Sequence, residues 1–313
     1  MKTPQSLLEA SRMFSNPDTA HEYFRHMRWP DGVVPCPDCG CKECYYLATQ
    51  KRWKCKECRR QFSVKVGTIF EKSPLGLDKW LLALWLITNA KNGISSCEVA
   101  RSLEVTQKTA WFMLHRIRYA MQTGSLELKD HVEVDETYIG GKARNMHVSK
   151  RKEKIKGTGG AGSGKAVVVG MLERGGDVRT MHIQKPNKKT LQGIVKGAVV
   201  KGSSLYSDAH RAYIGLDSHY AHMVVDHAVS YVEDGVVHTN GLENYWSLLK
   251  RTIRGTYVSV EPFHLHRYLD EQSFRYNNRK DSDGERFALV GSQVSGKRLT
   301  YKRLTGKELA AAA

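Results

Sequence analysis

HVEVDETYI, running from His131 to Ile139, is the stretch whose reading decides the fold. It alternates apolar and polar residues at period two, as a strand with two unlike faces does. Two further strand-like runs follow, AVVVGML at Ala166–Leu172 and VRTMHI at Val178–Ile183, joined by the hairpin turn Arg174-Gly175-Gly176-Asp177. Beyond them the pattern predicts a helix over Asn187–Val199, a strand over Ser204–Asp208, a short helix, a strand over His222–Asp226, and helices over Asn240–Arg254 and Pro262–Arg279. This alternation predicts an α/β domain over residues 128–280, with a mixed sheet and flanking helices.

The remaining residues divide by composition. Residues 1–32 read as a helical leader, opened by Ser15-Asn16-Pro17-Asp18 and stopped by Trp29-Pro30-Asp31-Gly32. Residues 33–70 are rich in cysteine and lysine, with short β-like runs at Arg52-Trp53-Lys54 and Gln61–Val64. Residues 74–122 read as three helices, and residues 281–313 as a basic tail. Inside the α/β domain, Lys142–Lys165 is a long loop of Lys, Arg and Gly, read equally as a DNA-backbone contact and as a solvated insertion. Its GGAGSGK run at Gly159–Lys165 imitates a phosphate-binding loop. It lacks the following Ser or Thr, and it precedes a strand rather than a helix, so it is set aside.

The chain has 313 residues, 41% of them hydrophobic, which is enough for more than one domain of about 100–200 residues. A formal charge of +17 attracts polyanions and points to nucleic acid. Membrane insertion is disfavoured, because the longest apolar run, Trp80–Ile87, falls short of the roughly 20 residues a span needs. MKTPQSLLEAS has no secretory character, so a cytoplasmic protein with reduced thiols is expected.

Six of the seven cysteines lie between Cys36 and Cys58. Cys36/Cys39 and Cys55/Cys58 form two CxxC turns separated by 15 residues, a spacing that brings four thiolates around one tetrahedral Zn²⁺. Cys41 and Cys44 form a third pair. Pro37 and Gly40 favour the Cys36/Cys39 turn, leaving Cys41 and Cys44 as spare or secondary, and Cys97 is expected to be a packed free thiol.

Ile94–Ile117 reads as two helices joined by a tight turn near Glu104-Val105, a helix-turn-helix pattern. Val99, Leu103, Val105, Ala110 and Leu114 form its expected internal face. Thr106, Gln107, Lys108, Thr109 and His115 are then the outward residues that could reach bases or phosphates. Any small helical hairpin shows this pattern; the cysteines and the charge beside it favour DNA.

Three carboxylates fall at telling places. Asp135 lies on the first strand, Asp208 ends a later one, and Glu243 opens a helix 35 positions further on. Strand, strand and helix can gather them around Mg²⁺ or Mn²⁺, and two such ions stabilise both oxygens of an in-line phosphoryl displacement. Each has a structural alternative: Asp135 as a strand-edge residue, Asp208 as a helix cap, and Glu243 as the N3 member of a capping box begun by Asn240. On the late helix, Leu242, Trp246, Leu249 and Ile253 make the core stripe, with Glu243 and Lys250 beside it on one face. Lys250, Arg251 and Arg254 can then meet phosphates.

These blocks together resemble the bacterial insertion-sequence transposases that join an N-terminal zinc ribbon to a DDE-type ribonuclease H-like core. The resemblance runs from about Trp29 to about Arg303. It is carried by CPDCG, WKCKECRRQFSVKVGTIF, VDETYIGGK, YSDAHRAY, HTNGLENYWSLLKRTIRGTY and FHLHRYLDEQSFRYNNR. It implies Asp135, Asp208 and Glu243 as catalytic metal ligands, with Lys250 in support. Some relatives place Asn third, which keeps Asn240 and Asn244 in play. It also implies structural zinc, DNA as partner (terminal inverted repeats and target) and a homo-oligomer on DNA. A non-catalytic zinc-ribbon regulator and a nuclease on the same core are the competing readings.

Overall fold

The computed structural model describes residues 2–122, 126–141, 143–155, 164–225 and 238–307. The chain divides into two units, residues 1–122 with 280–313, and residues 123–279.

In the first unit, α1 (Leu7–Phe14) and α2 (Pro17–Arg28) form the leader. Asn16 caps α2 by accepting from the Asp18 and Thr19 amides, and Pro17 occupies the position where its missing N–H costs nothing. A three-stranded antiparallel sheet follows, ordered β1 (Cys44–Leu47), β2 (Arg52–Cys55), β3 (Gln61–Phe62). Next come α3 (Leu77–Asn89), α4 (Ser96–Ser102) and α5 (Gln107–Ala120). The WLLALWLI run is the buried spine of this unit: Trp80, Leu81, Leu84, Trp85 and Ile87 of α3 are all 2% exposed or less. Among the described residues no helix is long and apolar enough to cross a membrane.

The second unit carries a five-stranded mixed sheet. β4 (His131–Ile139) lies at its centre, with β5 (Ala166–Glu173) and β6 (Val178–Ile183) antiparallel on one side and β7 (Ser204–Asp208) and β8 (Ala221–Val225) parallel on the other. The long loop contains the short helix α6 (Val148–Lys154). Helix α7 (Lys188–Lys196) packs on one face through Leu191 and Val195, against Val132, Val134 and Val169. On the other face lie α8 (Asn240–Thr252) and α9 (Pro262–Asn277), through Leu242, Trp246, Leu249 and Leu265 against Val168 and Leu172. The expected stripe of α8 is therefore its buried face. Between them, residues 253–257 wind as a π-helix, a local over-wide turn. Asp226, and Gly159–Ser163 of the GGAGSGK run, lie outside the described residues.

The residues read as a basic tail carry α10 (Asp283–Ser292) and α11 (Tyr301–Leu304). Helix α10 begins with a capping box between Ser282 and Glu285 and buries Phe287 among Phe14, Tyr23 and Trp85. A run that looks polar by composition thus supplies an aromatic to the core of the first unit.

Candidate functional site

The four-cysteine cluster is built by two CxxC turns, one before β1 and one closing β2. Cys36 Sγ and Cys58 Sγ lie 3.5 Å apart, as do Cys39 Sγ and Cys55 Sγ, and all four sulfurs fall within 4.8 Å of one another. Four thiolates on one Zn²⁺ at about 2.3 Å would stand about 3.8 Å apart, so the donor set fits that ion. Cys41 and Cys44 are not members of the cluster; Cys44 pairs with Cys55 across the β1–β2 register. Cys97 is exposed rather than packed. Val99 takes the inward direction on α4, and a residue two positions away points about 200° round the helix.

Both helices of the α4–α5 pair are capped at their starts. Ser95 and Glu98 form a capping box, and Thr106 accepts from the Thr109 amide. Thr106, Gln107 and Lys108 are exposed in the first turn of α5, and Thr109 is half-buried. His115 is not an outward residue: it is 0% exposed, with its ring 4.4 Å from that of Trp111. The reason is that the second half of α5 is enclosed on all sides, from Met113 through Arg118, so the outward face ends after one turn.

The acidic site forms where β7 leaves the sheet and β4 continues. Val134 pairs with Ser207, so Asp135 and Asp208 are lateral neighbours at the carboxyl end of the parallel pair, the customary ligand position in open α/β sheets. Ligand oxygens of Asp135, Glu136 and Asp208 lie within 4.8 Å of one another. Glu136 is the member that the sequence reading missed. Strict alternation sends it to the opposite face from Asp135, yet at the end of β7 the sheet no longer separates the two faces, and Glu136 joins the cluster. Glu243 lines a cleft of about 560 Å³ together with Asp135, Glu136, Lys250, Arg251 and Arg254. Asn240, by contrast, is the exposed first residue of α8 and does not line the cleft.

Burial pushes the Asp135 carboxyl up from its ordinary range; the Trp246 hydrogen bond opposes this, and the charges of Asp208 and Glu243 reinforce it. Burial likewise raises Glu136 to about 7, with Asp208 and Asp135 adding repulsion. Tyr213 opposes this rise, and His210 Nδ1 stands 4.0 Å from the buried Glu136 Oε1. Crowded, buried carboxylates fit a hard divalent cation, which would relieve their mutual repulsion. Lys250 is pulled down by burial and by Arg254, while Asp135 draws it up.

Two devices hold these groups. Trp246 donates its indole N–H to Asp135 Oδ2 at 2.9 Å, and its ring lies over Gly170, the residue opposite Asp135 on β5. A Cβ on Gly170 would stand 2.5 Å from Trp246 Cη2. Gly170→Ala is therefore expected to cost about 1–3 kcal/mol by overpacking and to dislodge Trp246 from Asp135. A urea midpoint equal to wild type would refute this. The second device is Glu133 on β4, 1% exposed, which accepts from the Leu242 amide at 2.9 Å and pairs with Arg174 at 3.0 Å. Arg174 in turn donates to the His238 carbonyl and lies 3.8 Å over the Tyr206 ring. A strand carboxylate thus satisfies an open amide in the first turn of α8 and fixes that helix over the acidic site.

Clustered carboxylates thus stand at the end of a mixed sheet, beside a helix that carries Lys250 and Arg251, in a chain with a four-cysteine ribbon. Residues 127–277 match the family model of the ISXO2-like transposase domain, and residues 15–61 match that of the transposase zinc-ribbon domain. The chain belongs to the insertion-sequence transposases that carry these two domains. It is 26% identical over 250 residues to an uncharacterized protein in transposable element ISH50 of Halobacterium salinarum, covering 77% of this chain and 84% of that relative.

Proposed function

We propose that the protein binds the ends of its insertion sequence and catalyses metal-dependent strand cleavage followed by strand transfer. One observation carries this reading: Asp135, Glu136 and Asp208 gather at one point, and Asp135 and Glu136 share a cleft with Glu243, Lys250, Arg251 and Arg254. Asp135, Asp208 and Glu243 would hold Mg²⁺ or Mn²⁺, with Glu136 as a further oxygen donor. A divalent cation bound there supplies Lewis acidity and neutralises charge developing on phosphorus. Trp246 keeps Asp135 in one orientation. Lys250, Arg251 and Arg254 bind the non-bridging phosphate oxygens and align the scissile bond. Water attacks phosphorus first, and the strand's 3′-oxygen leaves. The 3′-hydroxyl so formed then attacks a target phosphodiester, again releasing a 3′-oxygen. Positioning and electrostatics carry the catalysis, with no covalent protein intermediate.

The helix-turn-helix reading of α4–α5 belongs to the same proposal, with Thr106, Gln107, Lys108 and Thr109 as the DNA-contacting turn. So do homo-oligomeric assembly on DNA and a cytoplasmic location. The test is a duplex ending in the element's terminal inverted repeat, incubated with the protein, target plasmid and Mg²⁺ or Mn²⁺. Cleavage and joined product are expected. Cleavage without joining would make the protein a nuclease, and binding without cleavage would make it a regulator.

The ribbon is proposed to hold one structural Zn²⁺ per chain. Cys36→Ser/Cys55→Ser, which removes one ligand from each turn, is expected to lose that zinc by elemental analysis. Zinc content equal to wild type would rule out this ligand set.

A further inference from the structure

The first unit has a cavity of its own, about 470 Å³, within the range of small-molecule sites at about 300–1,000 Å³. Its walls are aromatic, formed by Trp80, Phe112 and Tyr301, and its charge is basic. Arg116 lines it at 5% exposure, with its guanidinium 5.5 Å from the Trp80 ring centroid and 5.0 Å from that of Phe112. One arm donates to the Glu71 carbonyl, while Nε has no hydrogen-bond partner. Burial pulls this guanidinium down to about 10. Glu71 is the one carboxylate in the lining, and it already accepts from the Gly67 amide at 2.9 Å and pairs with Arg298 at 3.3 Å. A largely desolvated guanidinium lining a basic, π-walled cavity calls for an anion that also carries a flat ring. Lys108 and Thr109, from the first turn of α5, also line the cavity, and Lys108 lies 5.1 Å over the Tyr301 ring.

We propose that this cavity binds a single nucleotide, its base against the aromatic walls and its phosphate toward Arg116. The nucleotide comes either from DNA held at α5, as one unstacked residue, or from free solution. The DNA source rests on the proposal that α5 meets DNA. Base–aromatic stacking is the general means of holding an unstacked nucleotide, and it tolerates any base.

Two arms with the full chain test this. In the first, end duplexes carrying 5-iodo-deoxyuridine at successive positions are irradiated and the crosslinks mapped by mass spectrometry. In the second, dAMP is titrated by calorimetry. A crosslink from one position to Phe112 or Tyr301 supports the DNA source, and dAMP binding without that crosslink supports the free nucleotide. Tyr301→Ala, a change at a rim residue 37% exposed that should leave the fold intact, is expected to weaken whichever binding is seen by about tenfold. Arg116→Gln should do so more strongly. Gln107→Glu serves as the control for α5: if it leaves duplex affinity unchanged, the α5 reading fails, while dAMP binding still upholds the cavity. Duplex binding sensitive to Gln107→Glu, with no crosslink to Phe112 or Tyr301 and no dAMP heat, would overturn the nucleotide site and leave the α5 reading standing.

Discussion

Asp135→Asn and Asp208→Asn are each expected to lower strand cleavage by at least about 10²–10³-fold, the scale of removing one group that stabilises transition-state charge, with binding of the end duplex unchanged. The Asp135 variant should also be no less stable than wild type. Its carboxyl is raised in the fold by burial and by the charges of Asp208 and Glu243. A carboxyl whose folded value lies above its unfolded value costs stability once pH exceeds the unfolded value, and the cost disappears as pH falls. Asn removes the charge yet keeps an oxygen for the Trp246 N–H. In metal-free buffer at neutral pH the Asp135→Asn midpoint should therefore equal or exceed that of wild type. Added Mg²⁺ should raise the wild-type midpoint, because a ligand that binds only the folded state stabilises it, and should raise that of either variant much less. Cleavage within tenfold of wild type in either variant, under saturating Mg²⁺, would exclude these two carboxylates as the reacting centre.

The order of elements was legible because each strand carries its own punctuation. β4 and β6 begin and end where the alternation does, and Arg174–Asp177 turns between β5 and β6 as a Gly-Gly hairpin should. The helix start at Asn16 was equally readable, since a side-chain oxygen before a helical run has one obvious use, whereas Asn187, read as the first residue of its helix, is its cap. What a linear pattern could not show is closure at a distance. Phe287 belongs to a core assembled from α1, α2 and α3, and nothing local in a basic segment reveals partners as far back as Trp85, Tyr23 and Phe14. His115 was misjudged for a related reason: one apolar stripe implies one outward face, whereas α5 is enclosed from Met113 through Arg118.

Much of the acidic site was likewise visible, since Asp135 and Asp208 stand at strand positions that a mixed sheet brings side by side. Glu136 was hidden by the period-two rule, which does not show that β4 loses its β7 neighbour after Val134. Glu133 had no sequence signal as a carboxylate; its role as the cap of α8 depends on a helix more than 100 residues away. Two glycines did carry a usable signal. Gly170 interrupts an apolar strand, and Gly241 stands where a Cβ would meet Leu172 Cδ2 at 2.5 Å and Glu133 Oε2 at 2.8 Å. A glycine inside a strand or an early helical turn marks close approach, and both of these mark what packs around the site.

Glu243→Gln is expected to remove cleavage to the same extent as the aspartate changes while leaving the fold intact. The competing role for Glu243, as the N3 partner of an Asn240 cap, requires α8 to begin one residue later than it does. The N-cap residue is Thr239, whose side chain makes no capping bond, and Asn240 is the first helical residue, so Glu243 stands at the fourth position. The Leu242 amide is satisfied by Glu133 instead. Replacing the Glu243 carboxylate by an amide therefore costs the helix no cap, so circular dichroism should match wild type and the thermal midpoint in metal-free buffer should equal or exceed it, since one charge that raises Asp135 is gone. What changes is charge: an amide oxygen is a neutral ligand, and the cleft that holds Lys250, Arg251 and Arg254 loses one of its negative groups. Glu136→Gln and Asn240→Ala complete the comparison. Asn240 is exposed and away from the cleft, so its loss should leave cleavage within about twofold, the neutral-surface expectation. Near-wild-type cleavage in Glu243→Gln, together with its loss in Glu136→Gln, would make the neighbour of Asp135 the third ligand; loss confined to Asn240→Ala would give that place to the amide.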